Sequence, residues 1–318
     1  MRTYLLRRLL LFIPVLLLVY TFVFVLIRIV PGDIVNLMME GGSGRGTSAA
    51  VAAQLRHDLG IDRSIPEQYV IQVRHLLQGD LGRSFRNGRP VTTEIKRRLP
   101  ITLELAVLAI LIALSTALVI GSLAALRHDS GVDRSISVLS IVALSVPAFW
   151  TGTLVVVLPA RWWGYSPPFT YSNLFADPAQ NLQQILPAAL TLGAIFAGVL
   201  TRYVRSSLLE VLRQDYIRTA WAKGLRERMV LVRHGLRNAF VPVITVLGLQ
   251  VSGLLGGAVI TERVFNLPGM GTLTITAINQ RDYPQLEANV LVLAFIVLLA
   301  NLAVDIAYGW LDPRIRIG

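Results

Sequence analysis

The side chains best able to do chemistry in this chain are cationic, and they are concentrated in one place. Nine Lys/Arg residues (Arg202, Arg205, Arg213, Arg218, Lys223, Arg226, Arg228, Arg233 and Arg237) fall between positions 202 and 237. The chemistry they offer is recognition, through pairing with carboxylates on a partner, and not bond making. Within this stretch DYIRTAWAKG carries its own start and stop. Asp215 is a favoured helix N-cap, residues 216–223 are long enough for about two turns, and Gly224 supplies a left-handed stop. Ile217, Ala220, Trp221 and Gly224 recur at i, i+3, i+4 and i+7 and form one small, mostly apolar face. Ala220 and Gly224 let another surface approach the backbone, and Arg218 and Lys223 flank the face. From the residues alone two readings stay open. One is an interfacial helix whose basic side chains meet anionic lipid; the other is a knob that docks in a protein groove, which the caps and the small face favour.

Other chemistries lack their residue sets. His57, His75, His128 and His234 lie outside every apolar stretch, and neither HExxH nor Gly-x-Ser-x-Gly occurs, so metal or nucleophilic catalysis in a membrane is unsupported. G-x-x-x-x-G-K-[ST] is absent as well, so the chain has no phosphate cradle of the usual kind for ATP. Two acidic residues lie within apolar stretches. Asp305 shares a helix face with Asn301 at i−4 and Tyr308 at i+3, and Glu104 sits near the start of another stretch. An ionised Asp at mid-bilayer costs roughly 2.5–3.5 kcal/mol, so Asp305 should face protein or water, either as a substrate or gating contact or as half of a structural pair.

The elements that must position these residues are membrane helices. Of 318 residues 54% are hydrophobic and 15% charged, where soluble domains carry about 25% charged residues. The net charge of +11 brackets apolar stretches instead of forming one basic face, which argues against nucleic acid as a partner. The lack of cysteine excludes disulfides, zinc-thiolate sites and iron–sulfur ligation. A bilayer core of roughly 30 Å needs about 20 apolar helical residues. Six stretches meet that length: 9–30, 101–126, 135–160, 184–204, 239–261 and 287–310. Pro147 and Pro159 lie in the third and Pro187 in the fourth; proline is tolerated in membrane spans, so both are read as spans. The first run is too long for a signal-peptide core and lacks a small-x-small cleavage site.

With a cytoplasmic N-terminus, segments 1–8, 127–134, 202–237 and 312–318 hold sixteen Lys/Arg, while the loops near 161–183 and 262–286 hold only Arg161, Arg263 and Arg281. This is the positive-inside pattern, with both termini cytoplasmic. Lys96, Arg97 and Arg98 run against it, although long translocated loops largely escape the rule. The 31–100 loop holds two short amphipathic helices, one starting at Thr47/Ser48 and stopping at Gly60, the other with Pro66 in its first turn and Gly79 as its stop. In the fifth stretch Gly253 and Gly257, and likewise Gly248, Ser252 and Gly256, form small-xxx-small seams, for a second subunit or for packing within the chain. Residues 262–271, beginning at Glu262, read as an outer gate or a tight turn.

DYIRTAWAKGL…HGLRNAFVPV (215–243) resembles the cytoplasmic signature of permease subunits in the dipeptide/oligopeptide/nickel class of ABC importers. PGD (31–33), GDLGRSF (79–85), TERVFNLPGMG (261–271) and NLAVDIAYGWLDPRIR (301–316) extend the resemblance over almost the whole chain, in order. It implies an all-α polytopic protein with six transmembrane helices and the type I ABC importer permease fold, in a bacterial or archaeal plasma (inner) membrane. Its parts would be a first membrane helix (1–30), an extracytoplasmic loop (31–100), a permease core (101–311) with a coupling segment at 205–238, and a tail (312–318). The resemblance makes Asp215, Tyr216, Ile217, Arg218, Ala220, Trp221, Lys223 and Gly224 the coupling helix that sits in an ATPase cleft. Arg218, Thr219 and Ala220 stand where the wider signature has Glu-Ala-Ala, so no acidic contact is implied there. Asp305, Asn301, Glu262, Gly253 and Gly257 are the pathway or gate candidates. The implied partners are a second homologous permease, two ATPase subunits and an extracytoplasmic solute-binding protein, with ATP and Mg held by the ATPases and no cofactor or metal by this chain. The chain would be no enzyme. A self-contained secondary transporter is the alternative, and an intramembrane protease a more distant one.

Overall fold

The computed structural model describes residues 2–29, 35, 49–168 and 170–311, and they are helical almost throughout. Among them an isolated bridge between Arg83 and Pro90 is the only extended pairing. The helices are α1 (Arg2–Ile29), α2 (Ala49–Asp58), α3 (Ile65–Leu77), α4 (Val91–Leu126), α5 (Gly131–Ser145) and α6 (Ala148–Trp163). They continue as α7 (Pro178–Leu212), α8 (Asp215–Ala222), α9 (Glu227–Val264), α10 (Met270–Gln280) and α11 (Tyr283–Leu311).

Five helices, α1, α4, α7, α9 and α11, are long and apolar enough to cross a membrane. The expected third span, 135–160, is not one straight helix. α5 and α6 meet at 98°. Pro147 is the cause: it brings no N–H, and its ring holds Val146 in an extended conformation (φ −84°, ψ 126°). With 15 and 16 residues, the halves are about 22 and about 24 Å long at the helical rise, short of a bilayer core. Among the described residues five helices are thus long and apolar enough to span a membrane, or six spans with the bent pair taken as one. Pro187, by contrast, stays inside α7. Its missing N–H leaves the Gln183 carbonyl without a helical donor, and the Tyr165 hydroxyl donates to that oxygen at 3.3 Å.

Contacts divide the chain into two compact units, one of Leu6–Pro100 with Thr272–Ile296, the other of Met1–Leu5, Ile101–Gly271 and Val297–Gly318. In the first, Phe24 and Tyr69 pack edge to face, and Arg28 pairs with Glu287 at 2.7 Å. α2 stops before Gly60 (φ +67°) and α3 before Gly79 (φ +79°), as their sequences require; Thr47 and Ser48 lie outside the described residues. In GDLGRSF, Asp80 accepts from the Gly82 N–H at 2.9 Å and Arg83 donates to the Gly88 carbonyl at 3.2 Å, so each is tied locally. The Ser84 hydroxyl and the Phe85 N–H both bind the Asp282 carboxylate.

The second unit is built around α4, α7 and α9. Ile101, Leu105 and Ala109 of α4 pack with Ile185, Ala188 and Leu192 of α7, with Leu254 and Ala258 of α9, and with Phe265 and Leu267. Small residues set how closely these helices approach. A Cβ on Gly193 would lie 2.9 Å from the Ala109 carbonyl, and one on Gly121 2.8 Å from the Thr201 carbonyl.

Candidate functional site

The basic stretch folds as expected into a short helix with defined ends, but its faces are reversed in part. α8 starts at Asp215, and Gln214 occupies the N-cap position without a side-chain cap. Asp215 is thus the first helical residue. Its carboxylate complements the positive helix end and pairs with Arg218 at 3.4 Å in an exposed i,i+3 contact. At the other end Gly224 has φ +74°. Its N–H donates to the Trp221 carbonyl at 2.9 Å, and the Leu225 N–H reaches back to Ala220 at 3.4 Å. Only glycine adopts this conformation without strain. A Cβ there would meet nothing within 4 Å, so the backbone angle, not crowding, requires glycine.

Half of the face expected to meet a partner, Ile217 and Ala220, is used inside the chain, while Trp221 and Gly224 stay exposed. Ile217 (0% exposed) and Ala220 (5%) are buried with Val230, against Val211, Leu212 and Leu225. They anchor α8 rather than present it, because an eight-residue helix needs tertiary packing to persist. What remains open is a surface of Tyr216, Arg218, Thr219, Trp221 and Lys223, with Asp215 at its rim. It combines two half-exposed aromatic rings with two cations. Asn238 of α9 donates to the Tyr216 hydroxyl at 3.1 Å and to the His234 carbonyl at 2.8 Å, which fixes the phenol.

Two features lie in the helices beside α8. Val230–Leu236 winds as a π-helix inside α9, a widened turn of the kind often found at functional sites, and Gly235 there lies under Leu208 of α7. In α7, Arg205 grips Asp133 of α5 with two hydrogen bonds, at 2.5 and 2.7 Å. Sequence reasoning missed this clamp. The signal available was one Asp three residues after a Ser, a capping pattern, close to a run of cations. His128, Asp129 and Asp133 bring ligating atoms within 4.8 Å of one another, but Arg205 engages both Asp133 oxygens, so the cluster is an ion-pair site and not a metal set.

The pathway candidates do not converge. Glu262 is fully buried and accepts from the Thr102 hydroxyl at 2.5 Å, while the Met270 N–H donates to that same hydroxyl at 2.8 Å. The Leu267 N–H binds the Glu262 carbonyl at 2.8 Å, and a side chain on Gly269 would strike the Glu262 carboxylate. Glu262 therefore fastens the turn 265–271, as the tight-turn reading of 262–271 has it, and its carboxylate is held by protein donors. Gly257 faces α7, where its Cβ would lie 3.0 Å from Leu192; Gly253 is exposed, with Phe196 of α7 at 3.9 Å. Gly248 packs under Val304 of α11. Ser252, Gly253 and Gly256 remain open on α9 together with Leu249 and Ile260. Asn301 and Asp305 are half-buried in α11; the side chain of Tyr308 lies outside the described residues.

Within α4, Glu104 accepts from the Tyr171 hydroxyl at 2.7 Å. Burial, and then the hydrogen bond to Glu104, push the Tyr171 phenol above its usual range. On the other unit the exposed Asp62 carboxyl is held below its usual range by its hydrogen bond from His57.

Residues 117–317 match the family model described as binding-protein-dependent transport system inner membrane component, and residues 1–106 match the N-terminal model of such membrane components. The chain is 41% identical over 316 residues to the glutathione transport system permease protein GsiC of Pectobacterium atrosepticum, covering 99% of both chains. It is 40% identical to the di/tripeptide transport system permease protein DppB of Pseudomonas aeruginosa over 339 residues, and 38% identical to the dipeptide transport system permease protein DppB of Escherichia coli over 342, again with 99% of both chains covered.

Proposed function

Because the chain belongs to the family of binding-protein-dependent transport system inner membrane components, we propose that it forms half of an import pathway for short peptides or glutathione-like solutes. The observation that carries this reading is the likeness to peptide and glutathione permeases along 99% of their length. The chain is a permease component and not the ATPase. The secondary-transporter alternative has no support among these relatives.

In this reading a second homologous permease completes the pathway, and the open small-residue face of α9 (Ser252, Gly253, Gly256) is where it packs. Two ATPase subunits hold ATP and Mg, and this chain holds no cofactor. The Tyr216–Arg218–Trp221–Lys223 surface of α8 sits in an ATPase cleft, with Ile217 and Ala220 as its anchor and Gly224 as its stop. Asp305 and Asn301 face the pathway. Both termini are cytoplasmic, in a bacterial or archaeal plasma membrane. Residues 31–100 face outward to a solute-binding protein, 101–311 make the permease core with its coupling segment at 205–238, and 312–318 form a tail.

Closure of the ATPases would move α8. Its motion would pass through the buried Ile217–Val230 contact into α9 and through α7 and the Arg205–Asp133 clamp into α5. ATP must then bind one conformation more tightly than the other, since a ligand shifts an equilibrium only by its differential affinity. The test is uptake of labelled dipeptide and of labelled glutathione in cells expressing the full set of subunits. Uptake that needs this chain and an intact ATPase supports the proposal. Transport driven by an ion gradient, by the purified chain alone, overturns it.

A further inference from the structure

Five buried side-chain atoms in the Ile101–Gly271 segment meet no hydrogen-bonding partner among the described residues: Ser122 Oγ, Glu104 Oε1, Asn181 Oδ1, and Oε1 and Nε2 of Gln184. Ser122 stands apart on α4, and the other four belong to three residues that share a neighbourhood. The Tyr171 hydroxyl donates to the other Glu104 oxygen at 2.7 Å and accepts from Asn181 Nδ2 at 3.4 Å, so the two residues meet on one phenol. Asn181 Nδ2 also donates to the Ser172 carbonyl at 3.0 Å. Both of its hydrogens are therefore engaged, and its oxygen alone is unused. Gln184 follows one turn later on the same face of α7, beside Ile185, which packs with Ile101 and Leu105 of α4. Asn181 and Gln184 are each 0% exposed.

The unused groups are mostly acceptors, and one belongs to a carboxylate. Among the described residues the partner of Glu104 is a neutral phenol and no cation. Native proteins rarely leave buried polar atoms unpaired, and a cluster of them points to a bound species. We propose that Glu104, Asn181 and Gln184 form a binding site for a small monovalent cation, sodium or potassium. Hard cations take oxygen ligands, and water would complete the shell that these side-chain oxygens begin. A single carboxylate balances a single positive charge. Water would donate hydrogens to these oxygens but bring no charge to balance the half-buried Glu104 carboxylate. The site would tie α4 to the segment that leads into α7, apart from the α8 surface.

The experiment is thermal unfolding of the purified full-length chain in NaCl, KCl or choline chloride at constant ionic strength, followed by tryptophan fluorescence. A cation that binds only the folded state raises the midpoint in a saturable way. Expected is such an upward shift in sodium or potassium relative to choline, lost in Glu104→Gln and in Gln184→Met; which alkali ion acts identifies the ligand. Equal midpoints in all three salts, or an unchanged shift in both variants, overturns the proposal and leaves water as the occupant. Should a variant fail to insert, the sodium-23 resonance of wild-type protein decides. Broadening reversed by potassium but not by choline supports the site, and an unbroadened line overturns it.

Discussion

Arg205, near the end of α7, holds Asp133, in the first turn of α5, through two parallel hydrogen bonds: Nε to Oδ1 at 2.5 Å and Nη2 to Oδ2 at 2.7 Å. Asp133 also accepts from the Asp129 N–H at 3.0 Å, and its own N–H donates to Ser130 at 3.3 Å. The whole connection between α4 and α5 is thus fastened to α7, ten residues ahead of α8. A planar guanidinium matches this two-point geometry, and lysine does not.

Breaking the clamp from one side leaves a buried charge alone, which costs about 3–5 kcal/mol in a fully buried pair. The Arg205 side chain is 27% exposed, so the lower end of that range applies. Asp133→Asn and Arg205→Met are each expected to lower the unfolding midpoint of the purified chain. The double variant Asp133→Leu/Arg205→Met should lose less than the two single losses together. Strictly additive losses would show that the two groups do not interact.

On α8 the buried and open residues should separate experimentally. Ile217→Ala removes a fully buried side chain and is expected to cost about 2–5 kcal/mol, read as lost stability or yield. Arg218→Glu and Lys223→Glu change exposed charges and should leave stability within about 0.5 kcal/mol, while co-purification with the ATPase subunits and uptake fall at least tenfold. Gly224→Val forces a branched residue to φ +74°, at a cost of about 1–2 kcal/mol, and should impair uptake with insertion intact. If the two charge reversals bind ATPase normally, α8 is not the handle.

The sequence makes some of this legible and hides the rest for physical reasons. Long apolar runs announce α1, α4, α7, α9 and α11, because burial in lipid demands them. Gly224 announces the end of α8, since φ there is positive. Pro147 and Pro187 look alike in sequence yet differ in effect. The carbonyl freed by Pro187 finds Tyr165, whereas the chain turns by 98° around Pro147. Which face of α8 is buried was illegible too, because Ile217 and Ala220 suit a partner groove or Val230 equally well. Pairs such as Arg28–Glu287, 259 positions apart, leave only lone charges in apolar runs, and a lone charge does not name its partner.

The turn 265–271 should be intolerant of side chains at one glycine. Any Cβ on Gly269 collides with the Glu262 carboxylate, which Thr102 holds in place. Gly269→Ala is expected to destabilise by about 1–3 kcal/mol, as overpacking does, with Gly131→Ala, which meets open space, as the neutral comparison. Equal melting of the two variants would mean that the carboxylate moves aside freely.

Tyr171 gives a pH signature. Burial first, and the Glu104 hydrogen bond second, disfavour its phenolate and raise its pKa in the fold. Its contribution to stability is therefore fully present below the ordinary tyrosine value of about 10 and is lost as pH rises through the folded value. In an absorbance titration of phenolate, Tyr171→Phe should remove one late-ionising tyrosine and leave the early group unchanged. Loss of an early-ionising phenol instead would place Tyr171 in water.

Arg28 and Glu287 supply the sharpest contrast between breaking and replacing an ion pair. Nη1 of Arg28 lies 2.7 Å from Glu287 Oε1, with the two side chains 8% and 5% exposed. The guanidinium also stacks on Phe24 at 3.4 Å and donates to the Phe24 carbonyl at 3.0 Å. Tyr20 supplies Glu287 with a second donor at 3.3 Å. Arg28→Met leaves a buried carboxylate with only neutral donors, the Tyr20 phenol and the Gln72 amide at 3.1 Å, and a loss of about 3–5 kcal/mol is expected. Arg28→Met combined with Glu287→Met fills the same space with apolar atoms and removes both desolvation costs, so much of the loss should return. Denaturation of the two variants in detergent measures the difference. A double variant no more stable than the single one would show that the pair is needed for its fixed geometry and not merely for charge balance.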